Sequence, residues 1–406
     1  MDGKHAAGGR FGKKLKELAA HPALVLFFVF LFGLFFLDLA VPDKDRSELE
    51  NTTLAQRPTL SLEGKSLAGA ATAVNDYFTS YSKYVKEQVA GRDGWIGLQA
   101  GFETLLFQKT ESGGMLLGKN GQMFARTYSL LSGEQKRLPL NTSAVCSLAQ
   151  RWPGRVTVLL APAASTIYPE QVPAGAPLLD EDAYLDDAFA AFAGAGASVL
   201  DVRDTLHAHS EEYIYYRTDH HWTTTGAYYA YEAYCEAQGL TPFDRAAHTA
   251  VEVPNFYGTS YAKARIPFAE ADTITYYDLP NRMQVYTVQG NGTLAAPADG
   301  AATGLYDEAQ WAAYDKYAAF LYGNNGFSRI EGDGTGRVLV VKDSYANSFV
   351  PYLTANYAVI DVVDFRAYPA GLDSLIAEND YDQVLVLYSF ASFKADLYLS
   401  RAGLTG

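Results

Sequence analysis

Asp219 and His221 lie two positions apart in the run Tyr-Arg-Thr-Asp-His-His-Trp-Thr at 216–223. In an extended backbone, residues i and i+2 share a face, so the carboxylate and the imidazole are expected side by side, with His220 turned the other way. That pair is an orienter and a base without a nucleophile. The run Arg337-Val-Leu-Val-Val-Lys-Asp-Ser344 offers one, because an apolar strand ends there abruptly on a serine. A serine hydroxyl becomes nucleophilic when a base takes its proton and a third group fixes the tautomer of that base. At a strand-to-helix junction it would also meet the positive end of a helix, which suits a developing oxyanion. Helix capping explains an isolated serine at such a junction equally well. Acyl-transfer chemistry is favoured by the three positions taken together.

Gly323-Asn324-Asn325-Gly326 precedes the serine strand, and its amides could complete an oxyanion hole; ordinary turn chemistry accounts for the same residues. Gly323 and Asn324 are therefore candidate oxyanion or substrate-binding residues, with Asn347 after the serine and Trp222 after the histidines. Tyrosines cluster around the motif (Tyr213, Tyr215, Tyr216, Tyr228, Tyr229). Most belong to a core or a helix face, and a few at a cleft rim could stack on sugar rings. The seven histidines form no recognised ligand spacing, so neither a metal nor another cofactor is expected.

These residues need a scaffold. Val156 to Ala161, Ser198 to Val202, Val338 to Val341, Ala358 to Val363 and Val384 to Tyr388 are apolar without alternation, as strands buried on both faces are. Helix-length segments separate them: Asp180 to Phe192, Thr224 to Gln238, Tyr345 to Asn356 and Ala370 to Asn379. This rhythm predicts an α/β doubly wound parallel sheet with helices on both faces. Between about 240 and 336 the rhythm fails. Short polar strands (Thr273 to Tyr277, Met283 to Val288) and an Asn291-Gly292 turn predict a β-rich insertion with a hairpin, lying over the ligand-binding end of the sheet. Before the sheet, helical spacing between Leu67 and Phe107 breaks at Gly91 to Gly94, predicting two helices. A turn at 118–121 predicts a hairpin.

With 49% hydrophobic and 19% charged residues, the 406-residue chain can bury a large core. Its net charge of -14 argues against a nucleic-acid partner. Residues 1–21 nevertheless carry a net charge of +3, and residues 22–41 hold one ionisable group, Asp38. That length matches one bilayer span, and a basic flank stays cytoplasmic. The division expected is a basic cytoplasmic tail (1–21), a single-pass cell-membrane anchor (22–41), a stalk with helical extension (42–125) and an extracytoplasmic catalytic domain (126–406). The competing readings of 22–41 are a cleaved signal peptide and a core helix; the sequence after Leu37 offers no convincing cleavage site. Cys146 and Cys235 fit either one disulfide or two buried thiols.

Thr218-Asp-His-His-Trp-Thr-Thr-Thr-Gly-Ala-Tyr-Tyr-Ala-Tyr231 and Val341-Lys-Asp-Ser-Tyr-Ala-Asn-Ser-Phe-Val-Pro-Tyr352 resemble the two signature blocks of DHHW proteins of Gram-positive bacteria. Ser47-Glu-Leu-Glu-Asn51, Leu54-Ala-Gln-Arg-Pro58 and Gly91-Arg92-Asp93 resemble their N-terminal part. DHHW proteins are in turn similar to the SGNH hydrolase-like alginate acetylation proteins. The resemblance implies Asp219 as orienter, His221 as base and Ser344 as nucleophile. It implies an O-acetyltransferase that carries acetyl on serine to a polysaccharide hydroxyl, with a membrane-bound O-acyltransferase as supplying partner. Lys342 departs from it, standing where many SGNH enzymes have Gly. An acetylesterase with the same triad, or a non-catalytic glycan-binding scaffold, are the rival readings.

Overall fold

The computed structural model describes residues 21–297 and 301–405. The basic tail expected at 1–21 lies, His21 aside, outside the described residues. The chain divides into two compact units between Gln99 and Ala100. The smaller unit contains α1 (Pro22–Ala40) and α2 (Leu67–Gln88), the latter capped by Ser66, whose hydroxyl accepts the Gly69 N–H at 3.2 Å. Among the described residues, α1 is the helix long and apolar enough to cross a membrane, and none of its residues is buried. A third helix, α3 (Arg92–Phe107), begins after the break expected at Gly91.

The larger unit opens with the expected hairpin, β1 (Met115–Leu117) and β2 (Met123–Ala125), followed by α4 (Ser132–Arg151). Its main sheet contains β3 (Val156–Ala161), which leads through α5 (Glu181–Gly194) to the edge strand β4 (Ser198–Val199). Further along comes α6 (Thr224–Gln238), at the expected bounds. The insertion supplies β5 (Ala250–Phe256), α7 (Thr259–Ala264), β6 (Asp272–Tyr277), β7 (Met283–Val288), β8 (Leu294–Ala295) and β9 (Phe327–Glu331). The chain finishes with β10 (Arg337–Lys342), β11 (Val359–Val363), α8 (Asp373–Asn379) and β12 (Gln383–Ser389).

The strand order is β8-β7-β9-β11-β10-β12-β3-β4. Five strands, from β11 to β4, are parallel, whereas β9, β7 and β8 join antiparallel to their neighbours. The sheet is therefore mixed, and the expectation of a wholly parallel sheet is corrected. Part of the insertion does not lie over the sheet: β7 and β9 extend its edge. Their half-polar sequences lack the unbroken apolar run of the parallel strands, so they could not be read as part of the same sheet. β5 and β6 form a separate antiparallel pair.

Along β10, Val338 and Val340 enter one apolar core with Leu385 and Leu387, while Leu339 and Val341 enter the other with Val384 and Val386. α6 covers the first face, and α4, α5 and α8 cover the second. Burial on both faces is why these strands read as unbroken apolar runs. β10 pairs with β11 on one side and β12 on the other, so the chain leaving its carboxyl end departs at a switch in direction, where open α/β sheets bind ligands.

One local expectation fails, and an open alternative is decided. The segment 345–356 forms two 3-10 stretches, Ser344–Ser348 and Val350–Ala355, in place of one α-helix. Pro351 has no N–H to donate, and Tyr345, Phe349 and Tyr352 are all buried, so packing sets the backbone there. Cys146 and Cys235 are both free thiols. Cys146 packs against the core on one face of the sheet and Cys235 lies in the core on the other, so a bond between them would have to cross the sheet.

Candidate active site

Residues 217–221 form a bend between Tyr215 and Trp222, which face each other across an isolated antiparallel bridge. The extended geometry expected for Asp219 and His221 is thus replaced by a tight loop. Asp219 closes it, because Oδ1 accepts the His221 backbone N–H at 3.0 Å, an Asx-type turn. The same oxygen accepts from His221 Nδ1 at 2.5 Å. His220 is also not turned away: its ring centroid lies 3.9 Å from that of His221, and its Nδ1 lies 2.6 Å from Thr259 Oγ1.

His221 Nε2 lies 2.8 Å from Ser344 Oγ, across 123 positions of sequence. With Nδ1–H donated to Asp219, Nε2 carries the lone pair that accepts the serine hydroxyl. Asp219 and His221 are buried, and Ser344 is half-buried. Capping is performed by Asp343, whose carboxylate accepts the Tyr345 N–H at 2.9 Å and the Ser389 N–H and hydroxyl at 2.9 and 2.7 Å. The Ser344 hydroxyl is therefore not the cap. The 3-10 segment it begins has five residues, too short for the helix-dipole support expected from an α-helix.

Asp219 holds its charge through its neighbours. Burial alone pushes a carboxyl up, but His220, His221 and the Thr259 N–H hold Asp219 well below the usual carboxylate range. Its second oxygen accepts the Thr259 N–H at 2.7 Å and the Thr259 hydroxyl at 3.0 Å. The donor atoms of Asp219, His220 and His221 lie within 4.8 Å of one another, a proximity that these hydrogen bonds account for without an ion.

Four residues of the site escape sequence reasoning, all from the insertion. Gly258 and Thr259 enclose Asp219. Asp272 fixes the start of the loop, accepting the Arg217 and Thr218 N–H groups at 3.0 and 2.7 Å and the Thr218 hydroxyl at 2.6 Å. Tyr317 stacks on His221 with centroids 3.9 Å apart and planes 12° from parallel. Its hydroxyl donates to the Ser344 carbonyl and to Ser348 Oγ, each at 3.1 Å. Each joins its target over tens of residues without a recognisable motif.

The remaining candidates divide. Trp222 is fully buried and its indole N–H donates to the Tyr345 carbonyl at 2.9 Å, so its ring supports the serine loop and is not presented to a substrate. Tyr215 and Tyr216 are likewise core residues. The Gly323 N–H is spent on the Phe320 carbonyl at 3.0 Å, inside a turn with φ +83°. Asn324 and Asn347 do come together, since Asn324 Oδ1 accepts from Lys342 Nζ at 3.0 Å and from Asn347 Nδ2 at 3.4 Å. Lys342 is almost wholly buried and also lies 3.4 Å from Asp364. Burial pushes its ammonium down to about 8 despite the Asp364 carboxylate.

Residues 197–363 match the family model described as DHHW protein. The chain thus carries a DHHW segment, as its motifs indicate. Ser344, His221 and Asp219 all fall inside it. The structure is similar to the crystal structure of a DHHW family protein from Eubacterium siraeum, with 23% identity, a TM-score of 0.56, and coverage of 70% of this chain and 93% of that one. It is also similar to Bacillus cereus PatB1 with a sulfonyl adduct, at 18% identity, TM-score 0.51, and coverage of 69% and 95%. An O-acetyltransferase domain of Pseudomonas putida AlgJ aligns at 14% identity and TM-score 0.44, covering 69% and 92%. The first two likenesses establish a shared fold. No curated protein sequence matches the chain significantly.

Proposed function

We propose that this chain is a membrane-anchored extracytoplasmic O-acetyltransferase that carries acetyl on Ser344 to a hydroxyl of a cell-envelope or secreted polysaccharide. The observation that carries the reading is the continuous line from Asp219 through His221 to Ser344, with contacts of 2.5 and 2.8 Å. The motif resemblance supplies acetyl and a glycan as donor group and acceptor. On this reading the domain is a doubly wound SGNH-type fold, α1 holds it in the cell membrane with residues 1–21 on the cytoplasmic side, and a membrane-bound O-acyltransferase delivers the acetyl group.

Ser344 Oγ attacks the donor carbonyl while its proton passes to His221 Nε2. The resulting imidazolium faces the Asp219 carboxylate, which stays ionised. Collapse of the tetrahedral intermediate expels the leaving group, which takes the proton from Nε2. A sugar hydroxyl then attacks the acetyl-serine, its proton moves to Nε2, and the departing Ser344 oxygen recovers it. We assign the oxyanion to the amide N–H of Asn324, because its carbonyl is held by Lys342 and Asn347, leaving the NH₂ as its free donor face.

The test is intact mass of the full chain in detergent after p-nitrophenyl acetate. Gain of one acetyl by the native protein, and none by Ser344→Ala or His221→Ala, is the expected result. Oligosaccharides added to the acetylated protein should discharge it faster than water does; discharge by water alone would favour an esterase. Equal acetylation of all three proteins would remove Ser344 from the reaction.

A further inference from the structure

Trp95, Leu98, Phe102, Leu105 and Leu106 recur along α3 at spacings of three and four, which places them on one stripe about 100° wide. All five are exposed, Trp95 at 41% and the other four at 53–68%. A stripe of this size on a soluble surface marks a contact with something apolar. The opposite side of the helix is packed: Ala100 is buried in a small core with Met115, Met123, Ala264 and Ile266. Thus α3 has one face against protein and one left open.

The start of α3 points to what covers the open face. The Ala90 N–H donates to Asp38 Oδ1 of α1 at 3.1 Å, and the Trp95 ring meets that of Phe30, well inside the apolar segment of α1, edge to face at 5.8 Å. The stripe therefore begins, at Trp95, beside the anchor helix itself. Polar groups bracket it at Arg92 and Lys109, both ion-paired to acids, as befits the margins of a helix lying partly in lipid.

We propose that α3 is a second membrane element, an amphipathic helix whose Trp95–Leu106 stripe rests among the acyl chains around α1. This rests on the reading of α1 as a membrane anchor. The chain would then be held to the bilayer by two helices.

The test uses the full chain, with Cys146 and Cys235 replaced by Ser, in phosphatidylcholine/phosphatidylglycerol nanodiscs. Nitroxide-labelled Cys is introduced singly at Leu98, Leu105, Val29 of α1 and Asp187 of α5. Relaxation by oxygen, which partitions into lipid, is compared with relaxation by a water-soluble nickel chelate. The expected result is oxygen-dominated relaxation at Val29, Leu98 and Leu105, and nickel-dominated relaxation at Asp187. Nickel-dominated relaxation at Leu98 and Leu105 with Val29 in lipid would overturn the role of α3 and leave the anchor intact. The same result at Val29 would overturn the anchor. Spin–spin broadening at Leu105 that dilution with unlabelled chain removes would overturn lipid contact in favour of a second copy.

Discussion

Gly258 lies so close to Asp219 that a Cβ built on the glycine would sit 2.2 Å from the aspartate Cβ and 2.3 Å from its Oδ2. Its backbone N–H also donates to Thr218 Oγ1 at 3.1 Å. The insertion thus closes over the orienting carboxylate with only a hydrogen atom between them. Gly258→Ala must move Asp219, and with it the imidazole that Asp219 holds. A displacement of about 1 Å at such a site costs on the order of 100-fold in rate. Acetylation of Ser344, followed by stopped-flow release of p-nitrophenol, should fall by about that factor, with the thermal midpoint showing whether folding is also affected.

Thr259→Val removes one hydroxyl donor from Asp219 Oδ2 and keeps the backbone N–H at 2.7 Å. A hydrogen bond to a charged group contributes about 1.5–3 kcal/mol. The acylation rate should drop by roughly 10- to 150-fold, the conversion being about 1.4 kcal/mol per tenfold. Asp219→Asn should cost far more, on the order of 10⁴-fold, because an amide no longer selects the reactive tautomer. If the two substitutions proved equally mild in stopped-flow assays, Asp219 would not be the orienter.

Tyr317 serves His221 with its ring and Ser344 with its hydroxyl, and the two contributions separate. Tyr317→Phe keeps the stack and loses hydrogen bonds to the Ser344 carbonyl and Ser348 Oγ. About 1 kcal/mol, or a few-fold in rate, is expected. Tyr317→Ala opens a void of the kind that costs about 3–5 kcal/mol in a core and frees the imidazole to rotate. Its acylation rate should fall much further, as stopped-flow release of p-nitrophenol will show.

Lys342 gives the protein a pH dependence of definite sign. Its folded pKa of about 8 lies below its ordinary 10.5, so above pH 8 the unfolded chain binds more protons than the native one. Stability should therefore rise as pH climbs from about 8 toward 10.5, and the burial cost is fully present below 8. Between pH 7.5 and 9.5 the native protein should gain up to about 2 kcal/mol relative to Lys342→Met. Urea midpoints of the two proteins at both pH values measure the difference. A constant gap would mean that Lys342 does not titrate there.

The three reacting residues were legible because each carries chemistry in its side chain, and the parallel strands because burial on both faces leaves an unbroken apolar run. The helix Thr224–Gln238 was legible from its threonine cap and the glycine after its end. What stayed hidden was whatever depends on distant pairing. β9 reads as a short half-polar piece of the insertion, and only its register with β11 makes it part of the main sheet. Gly258 and Tyr317 have side chains that suggest no reaction and matter only for what they touch. The 217–221 bend misleads in a different way, since the i, i+2 pairing that strand geometry would give is produced by an Asx turn. The right neighbours were inferred there from the wrong backbone.

The sheet that separates Cys146 from Cys235 also bears on how the chain matures. No disulfide joins them, and the sheet holds the two thiols on opposite faces. Acquisition of the fold thus waits on no oxidation step within the chain, whatever the redox potential of the compartment in which it folds.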